Sequence, residues 1–347
     1  MSVDLKKMRR RGPSKLNRLG ATLVRNKFGA LAVKRGVAKL AVLLLTKRPR
    51  YRRLYLEDGS RYEGYWLEKR PEGIGEMWFP DEAYYKGEWV NGIKHGQGIS
   101  TYPDKTSYEG EWYGGTFHGV GTYHAANGDK YAGSWVRNVR HGHGAYTWEN
   151  GNVYVGEWQD GVITGKGKKT WTTGCTYAGE WIKGKRFGKG KYTWSNGNSY
   201  RGDFMDGVRH GKGVKKLVNG TTYRGEWSFN EEHGFGRKEW PVEKTHYEGY
   251  WRNGKHHGKG NKKFENGTYY EGAWIHGKPH GEALLWWPDG RVYEITYEHG
   301  RYRGLRGLYE TKEKYHSVQR QKEMAEQAKR AVKLGLVLVD DGNHEDD

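Results

Sequence analysis

Residues 131–153 read YAGSWVRNVRHGHGAYTWENGNV, and this stretch decides the fold because its pattern recurs along the chain. It contains three phrases. The first is Tyr131-Ala-Gly-Ser-Trp135, the second is His141-Gly-His-Gly144 with an aromatic residue four positions later, and the third is Asn150-Gly151 just before the next unit. The first phrase returns every 23 residues, with one step of 24 between Tyr223 and Tyr247. Counting from Tyr62 to a degenerate phrase at Tyr293 gives eleven units. A period of this length is typical of repeat architectures.

Each unit is predicted to be a β-hairpin. Tyr and Trp alternate with polar residues, which places both rings and the Gly between them on one face of a strand. Asn-Gly and Asp-Gly supply the positive φ angles of tight turns, and a Gly inside a strand lets a ring lie against bare backbone. A two-stranded unit cannot bury its aromatic face alone, so neighbouring units must cover it. We therefore expect an all-β fold, an elongated twisted solenoid of about eleven stacked 23-residue hairpins, with helical N- and C-terminal extensions.

The rings of the first phrase are the predicted structural core of the repeat. They are Tyr85, Trp89, Tyr108, Trp112, Tyr131, Trp135, Tyr154, Trp158, Tyr177, Trp181, Tyr223, Trp227, Tyr270 and Trp274.

The net charge of +19 is unevenly distributed along the 347 residues. Residues 1–53 contain seventeen Lys and Arg and a single acid, Asp4, for a charge of +16, whereas residues 54–300 are almost neutral at +2. The sequence therefore divides into a basic amphipathic N-terminal extension (1–53), a repeat array (54–304) and a helical C-terminal tail with an acidic end (305–347). Gly accounts for 54 residues and aromatic residues for 14 % of the chain, a composition that argues against both disorder and a helical bundle.

The pattern Tyr-x-Gly-x-Trp-x-x-Gly-x-x-His-Gly-x-Gly at a 23-residue period resembles the MORN repeat family. The resemblance covers roughly residues 54–304 and implies an all-β array of hairpins. MORN arrays occur in radial-spoke and other axonemal proteins, in cytoskeletal scaffolds, in junctophilins, and beside the catalytic domains of lipid kinases and a histone methyltransferase. The 43 residues after Gly304 are too few for either catalytic domain. The resemblance therefore implies a scaffold in a multi-subunit assembly rather than an enzyme.

The sequence gives no positive indication of a catalytic, cofactor or metal site. The single cysteine, Cys175, excludes a Cys-based zinc site. The histidines that recur in register should form a ladder of structural residues about 10 Å apart rather than a cluster of ligands. The lysines in Gly165-Lys-Gly-Lys-Lys-Thr170 and Gly211-Lys-Gly213 lack the spacing of a phosphate-binding loop. The acids at one repeat position are expected to face Lys or Arg on an adjacent strand; they are Glu88, Glu111, Glu157, Glu180 and Glu226.

Nucleic-acid binding by the array is not expected. Its aromatic rings are needed to fill the core, and the near-neutral body lacks the basic groove that such binding requires.

The basic N-terminal extension is the candidate partner-binding segment. Its cations at the two ends are Lys6, Lys7, Arg9, Arg10, Arg11, Lys15, Arg18, Arg48, Arg50, Arg52 and Arg53. Between them, apolar residues recur at loosely helical spacing. The segment could dock on an acidic protein surface such as tubulin, cap the first hairpin, lie on an anionic membrane, or act as a mitochondrial transit peptide.

The sequence therefore favours a non-catalytic scaffold and interaction rod of an axonemal, radial-spoke-like or other cytoskeletal assembly. This predicts a location in the cytoplasm, the cytoskeleton and the cilium or flagellum. Two alternatives stay open. One is a peripheral membrane module for anionic phospholipids, and the other is a structural subunit of a mitochondrial assembly.

Overall fold

The computed structural model describes residues 48–333, and the described part consists of one antiparallel sheet followed by one helix. The strands are β1 (Arg50–Tyr55), β2 (Arg61–Leu67), β3 (Arg70–Trp78), β4 (Tyr84–Val90), β5 (Ile93–Thr101), β6 (Ser107–Tyr113), β7 (Thr116–His124), β8 (Lys130–Val136), β9 (Val139–Thr147), β10 (Val153–Gln159), β11 (Val162–Thr170), β12 (Thr176–Ile182), β13 (Lys185–Thr193), β14 (Ser199–Met205), β15 (Val208–Lys216), β16 (Thr222–Ser228), β17 (Glu231–Trp240), β18 (Thr245–Arg252), β19 (Lys255–Lys263), β20 (Tyr269–Ile275), β21 (Lys278–Trp286), β22 (Val292–Glu298) and β23 (Arg301–Tyr309). Helix α1 spans Lys312–Lys333.

Every strand pairs antiparallel with the next strand in the chain, which makes the sheet a 23-stranded meander. Each repeat contributes two strands, so we number the units from unit 1 (Tyr62, β2 and β3) to unit 10 (Tyr270, β20 and β21). The structure therefore has the β-repeat, solenoid-like fold that the sequence predicts. Residues 1–47 of the predicted helical N-terminal extension (1–53) lie outside the described part, but residues 50–53 belong to strand β1, so this end of the extension is a strand and the sheet begins before residue 54. At the other end, residues 305–309 of the predicted helical tail (305–347) belong to β23, and helix α1 begins only at Lys312.

A row of glycines crosses the sheet where the strands pair. Gly144, Gly156, Gly167 and Gly179 are paired in succession across four strands, and the same register repeats along the array until Ala283 takes the position. A Cβ atom built on Gly167 would lie 2.3 Å from the hydroxyl oxygen of Tyr154. The glycines therefore make room for the tyrosine rings that cross them, as the sequence predicted.

Two kinds of turn alternate along the meander. The two-residue turns follow the Trp of each unit, where both central residues have positive φ, as at Asn91 (51°) and Gly92 (80°). The Asn-Gly pairs that precede the next Tyr lie instead in longer loops between units, where only the Gly has positive φ, as at Gly151 (81°). The tight turns therefore lie at the opposite end of each hairpin from these pairs, to which the sequence pattern assigns them.

A bulge lies between the recurrent Gly and the ring that follows it in the first strand of each unit. In unit 5, Gly156 pairs with Gly167 and Trp158 pairs with Ile163, so the single residue Glu157 faces three residues of β11. The Glu157 carboxylate accepts a hydrogen bond from the backbone N–H of Lys166 at 3.1 Å. Bulges of this kind bend a strand and increase its local twist.

Candidate binding surface

The core of the array is built from the rings on one side of the sheet, which we call the aromatic face. The fourteen predicted core residues are all at most 6 % exposed. Each Tyr hydroxyl donates to the carbonyl three residues later, as Tyr154 does to Glu157 at 3.1 Å. Each Trp reaches back to the preceding unit, as the indole Nε1 of Trp181 does to the Gly167 carbonyl oxygen at 3.1 Å. These bonds join neighbouring units through their buried rings.

A second, variable layer lies over the core on the same face, and we call it the cover layer. In each unit it consists of the residue five positions after the Trp, and the residues two and four positions after the second Gly of the His-Gly-x-Gly phrase. In unit 4 these residues are Arg140, Tyr146 and Trp148, all of them half-buried. The aromatic members pack against the core. Because the core changes little from unit to unit, the cover layer gives each unit its own surface chemistry.

Cations occupy the cover layer in every unit from unit 4 to unit 9. They are Arg140, Lys169, Arg186, Arg209, Lys215, Lys238 and Lys262. Each lies over aromatic rings. The guanidinium carbon of Arg140 is 4.6 Å from the ring centroid of Trp158, and Lys169 Nζ is 4.0 Å from that of Trp148. A cation over an aromatic face is attracted by the quadrupole of the ring, which holds these charges at the surface of the core.

The arginines of this layer also join neighbouring units. Arg140 Nη2 donates to the carbonyl oxygen of Gly161 at 3.1 Å, and Arg209 Nη2 donates to that of Asn230 at 2.6 Å. Both acceptors lie in the tight turn of the following unit. The arginines therefore have a structural role in addition to the charge that they bring to the surface.

Burial weakens the hold of several lysines on their protons. It lowers the pKa of Lys94 to about 8, and it also lowers the pKa values of Lys169, Lys215 and Lys262. The pKa of Lys215 is lowered further by the neighbouring charge of Arg209. A nearby anion would stabilise the charged form of each of these groups.

The units at the ends of the array carry uncharged cover residues instead. Pro71 and Met77 cover unit 1, and Pro279 and Leu285 cover unit 10. The cationic stretch therefore lies inside the array, between less polar ends, and unit 8 alone in this stretch adds an acid, Glu232, which pairs with Lys238 at 2.9 Å.

The recurrent acids on the opposite face do not pair with Lys or Arg as the sequence predicted. Glu88, Glu111, Glu157 and Glu180 each accept a hydrogen bond from a backbone N–H of the facing strand, at 2.8 to 3.1 Å. None of these four forms an ion pair within the described part of the chain. Because the bulge leaves that N–H without a strand partner, the carboxylate takes the place of the missing carbonyl.

The recurrent histidines lie at the bulges, against the tight turns of the following units. His141 Nδ1 is 3.8 Å from Asp160, and the rings of His280 and His299 are 4.9 Å apart. Within residues 48–333, no three His, Cys, Asp or Glu side chains come together in a way that could hold a metal ion. No helix in the same range is long and apolar enough to cross a membrane.

Some of the predicted partner-binding residues lie within the described range 48–333, and the others lie outside it. Arg50, Arg52 and Arg53 lie in β1, at the edge of the sheet, and Arg53 Nη2 is 2.9 Å from the Glu63 carboxylate. Arg48 is exposed just before β1. The remaining members lie outside the described residues, namely Lys6, Lys7, Arg9, Arg10, Arg11, Lys15 and Arg18.

Sequence reasoning missed the cations of the cover layer. It treated Lys169 only as a member of a Gly-rich phrase, and it took the near-neutral charge of the body as the absence of a basic surface. Aligning the units at their 23-residue period and comparing the variable positions would have shown a Lys or Arg in each of six consecutive units.

Comparisons with known proteins identify the repeat. The family model for the MORN repeat matches ten segments, at residues 62–84, 85–107, 108–130, 131–153, 154–176, 177–199, 200–222, 223–242, 247–269 and 270–290. The degenerate eleventh unit of the sequence pattern, at Tyr293, forms β22 and β23 and is not among the ten. A search of curated protein sequences gives no match.

Solved structures show only distant likeness. The TCP domain of Drosophila melanogaster SAS-4, in complex with a proline-rich motif of Ana2, is 14 % identical and has a TM-score of 0.30, with 50 % of this chain and 92 % of that chain covered. The TCP10 domain of Danio rerio CPAP is 12 % identical with a TM-score of 0.23, with 71 % and 100 % covered. Similarity at this level supports no argument about fold or function.

Proposed function

This chain belongs to the MORN repeat family, and we propose that it is a non-catalytic scaffold of an axonemal, radial-spoke-like or other cytoskeletal assembly. The array is the interaction rod of this scaffold, and residues 1–53 anchor it to an acidic protein surface. The protein then resides in the cytoplasm, on the cytoskeleton and in the cilium or flagellum. The family itself supports the coarser part of this proposal, a repeat-based interaction or scaffold role.

The observation that carries the proposal is the bonding between successive units. Trp158, Trp181 and Trp227 each donate from the indole Nε1 to a glycine carbonyl of the preceding unit, and the same bond recurs along the array. Arrays of this kind gain stability from each interface between neighbours. Ten units at two strands each, about 4.8 Å apart, space their surface residues over roughly 100 Å. This suits a scaffold that holds several partners at fixed separations.

Co-sedimentation tests the anchor. We would mix the full chain at physiological ionic strength with salt-washed axonemes and, separately, with anionic phospholipid vesicles. The anchor variant carries Gln at Lys6, Lys7, Arg9, Arg10, Arg11, Lys15 and Arg18. The matched control carries seven Gln at exposed cations of the array, namely Lys130, Lys168, Lys191, Lys216, Arg224, Lys263 and Lys278.

We expect the wild-type chain and the control to pellet with axonemes, and the anchor variant to stay in the supernatant. Binding to vesicles without binding to axonemes would overturn the proposal in favour of a peripheral membrane module. Removal of the first ~40 residues from the mature protein in cells, read by N-terminal sequencing, would favour the mitochondrial alternative instead.

A further inference from the structure

Six of the seven cations in the cover layer of units 4 to 9 have no acidic partner within ion-pair distance in residues 48–333; Lys238, which pairs with Glu232, is the exception. Among the described residues, Arg140, Lys169, Arg186, Arg209, Lys215 and Lys262 form no ion pair with a carboxylate. Lys169, Lys215 and Lys262 also form no hydrogen bond through their side chains with any described residue. The charge of Glu232 acts on Arg209 and Lys215, and that of Asp129 acts on Arg140, only from beyond ion-pair distance. Holding a half-buried cation without a directly paired counter-charge is costly. Six such groups on one face therefore point to an anion supplied from outside the fold.

The spacing of the cations indicates what kind of anion fits. Each unit spans two strands about 4.8 Å apart, so equivalent residues of successive units are about 9.6 Å apart. Three residues of an extended polypeptide cover about 10 Å, and three residues of polyproline II, one full turn, cover about 9.3 Å. An extended chain that runs across the strands therefore brings every third residue opposite a new unit.

The rings between the cations are not free platforms for nucleobases. Lys169 lies over the rings of both Trp148 and Trp171, at 4.0 and 5.4 Å, and Arg209 lies over Trp194 at 5.6 Å. The cations are also half-buried among these rings instead of projecting from the surface. Base stacking needs an open ring face, and a flat membrane surface favours long cations that reach outwards. Both features favour a narrow polypeptide that settles between the side chains.

We propose that the cover layer of units 4 to 9 binds an extended acidic segment of a partner protein, with carboxylates at every third residue. This names a partner class for the array and rests on its interaction role, but not on residues 1–53 or on an axonemal location. The carboxylates approach Arg140, Lys169, Arg186 and the cations of units 7 and 9, and the residues between them contact the aromatic members of the layer.

The test uses the full chain and a synthetic peptide, six repeats of Glu-Pro-Pro, which polyproline II geometry holds at the required period. Calorimetry or fluorescence anisotropy gives the dissociation constant. The first comparison peptide has the same composition with its six Glu in one block, the second has Lys in place of Glu, and anionic vesicles and single-stranded RNA serve as rival ligands. We expect the periodic acidic peptide to bind at least tenfold more tightly than either comparison peptide.

A pair of matched triple variants locates the site. The first carries Lys169→Gln, Lys215→Gln and Lys262→Gln. The second carries Lys168→Gln, Lys216→Gln and Lys263→Gln, at the adjacent residues of the same strands, which are exposed and alternate to the other face. If each lost charge pair weakens binding about threefold, the first variant binds about 30-fold more weakly and the second binds like the wild type.

Equal losses in the two triple variants would overturn the assignment to the aromatic face. Tighter binding of vesicles or RNA, lost in the first variant only, would replace the acidic peptide by that ligand and overturn the proposal. Residues 1–53 are unchanged in all of these variants. The peptide-binding result therefore does not depend on the outcome of the co-sedimentation experiment, and the co-sedimentation result does not depend on peptide binding.

Discussion

Replacing one buried tryptophan tests how neighbouring units are joined. Trp181 is 4 % exposed, and its ring makes edge contacts with Tyr177 of its own unit and Tyr154 of the preceding one, at 5.0 and 5.5 Å between centroids. Truncation of a buried Trp to Ala costs roughly 3–5 kcal/mol through lost burial and the remaining cavity. The Gly167 carbonyl also loses its indole donor, which adds about 1 kcal/mol. We therefore expect Trp181→Ala to lower the free energy of unfolding by roughly 4–6 kcal/mol.

The chain supplies its own matched control at Phe204. This residue takes the position of the Trp in unit 7, is also 4 % exposed, and makes the same edge contacts with Tyr177 and Tyr200, at 5.0 and 5.1 Å. Trp181→Phe should therefore keep the ring contacts and lose the hydrogen bond and some burial, for about 1–2 kcal/mol. The reverse change, Phe204→Trp, should add a bond to the preceding unit and stabilise by about 1 kcal/mol.

Chemical denaturation measures these free energies, and hydrogen exchange locates them. Because a repeat array transmits interactions mainly between neighbours, Trp181→Ala should increase exchange most strongly in strands β10 to β13. A loss under 1 kcal/mol in Trp181→Ala would refute the reasoning. So would a loss above 2 kcal/mol in Phe204→Trp, because it would show that the position does not accept an indole.

Two further predictions concern single positions in the array. Gly167→Ala should lower the free energy of unfolding by at least about 3 kcal/mol, because the added Cβ would lie 2.3 Å from the Tyr154 hydroxyl. The control Gly304→Ala meets nothing within 4 Å and should change that free energy by less than about 0.5 kcal/mol. Similar values for the two variants would contradict the proposed role of the glycine row. The ring of His256 stacks on that of Tyr247, with 3.6 Å between the centroids, and burial lowers the pKa of His256 to about 3. In the unfolded chain the imidazole of His256 is protonated near pH 6.5. The stability that the neutral, buried imidazole contributes is therefore fully present above that pH and is lost as the pH falls towards 3. His256→Phe should therefore lose less stability than the wild type between pH 7 and pH 4, and equal losses in denaturant titrations would contradict this assignment.

The core of this fold is readable from the sequence because the same residues recur at one period. Tyr154, Gly156 and Trp158 alternate along one strand, and a ring beside a Gly has few ways to be buried in a β-sheet. The pattern therefore predicts the hairpins, the aromatic face and the close approach of ring and backbone, without knowledge of any partner.

The turns and the role of the acids could not be read in the same way. Asn-Gly and Asp-Gly occur both after the Trp and before the Tyr, and the sequence does not say which pair closes the two-residue turn. The hydrogen bond from Lys166 N–H to Glu157 exists because a bulge sets one residue against three. A prediction from regular strand pairing does not include that bulge. It therefore pairs the Glu157 carboxylate with a side chain of the adjacent strand instead of with a backbone N–H.

The net charge of the array does not predict the binding surface, because it sums the charges of both faces of the sheet. Lys168 and Lys169 are adjacent and contribute equally to net charge, yet the first is exposed on one face and the second is half-buried over Trp148 on the other. Only the register of the strands separates them. A near-neutral body can therefore carry a row of unpaired cations on one side.

One nuclear magnetic resonance measurement tests most directly the claim that the aromatic face is the binding surface. The indole N–H signals of the labelled full chain would be recorded during titration with the Glu-Pro-Pro peptide. We expect shifts for the cover-layer indoles of Trp148, Trp171 and Trp194, and none for Trp78 and Trp286, which alternate to the opposite face. Shifts confined to Trp78 and Trp286, or no shifts at saturating peptide, would contradict it.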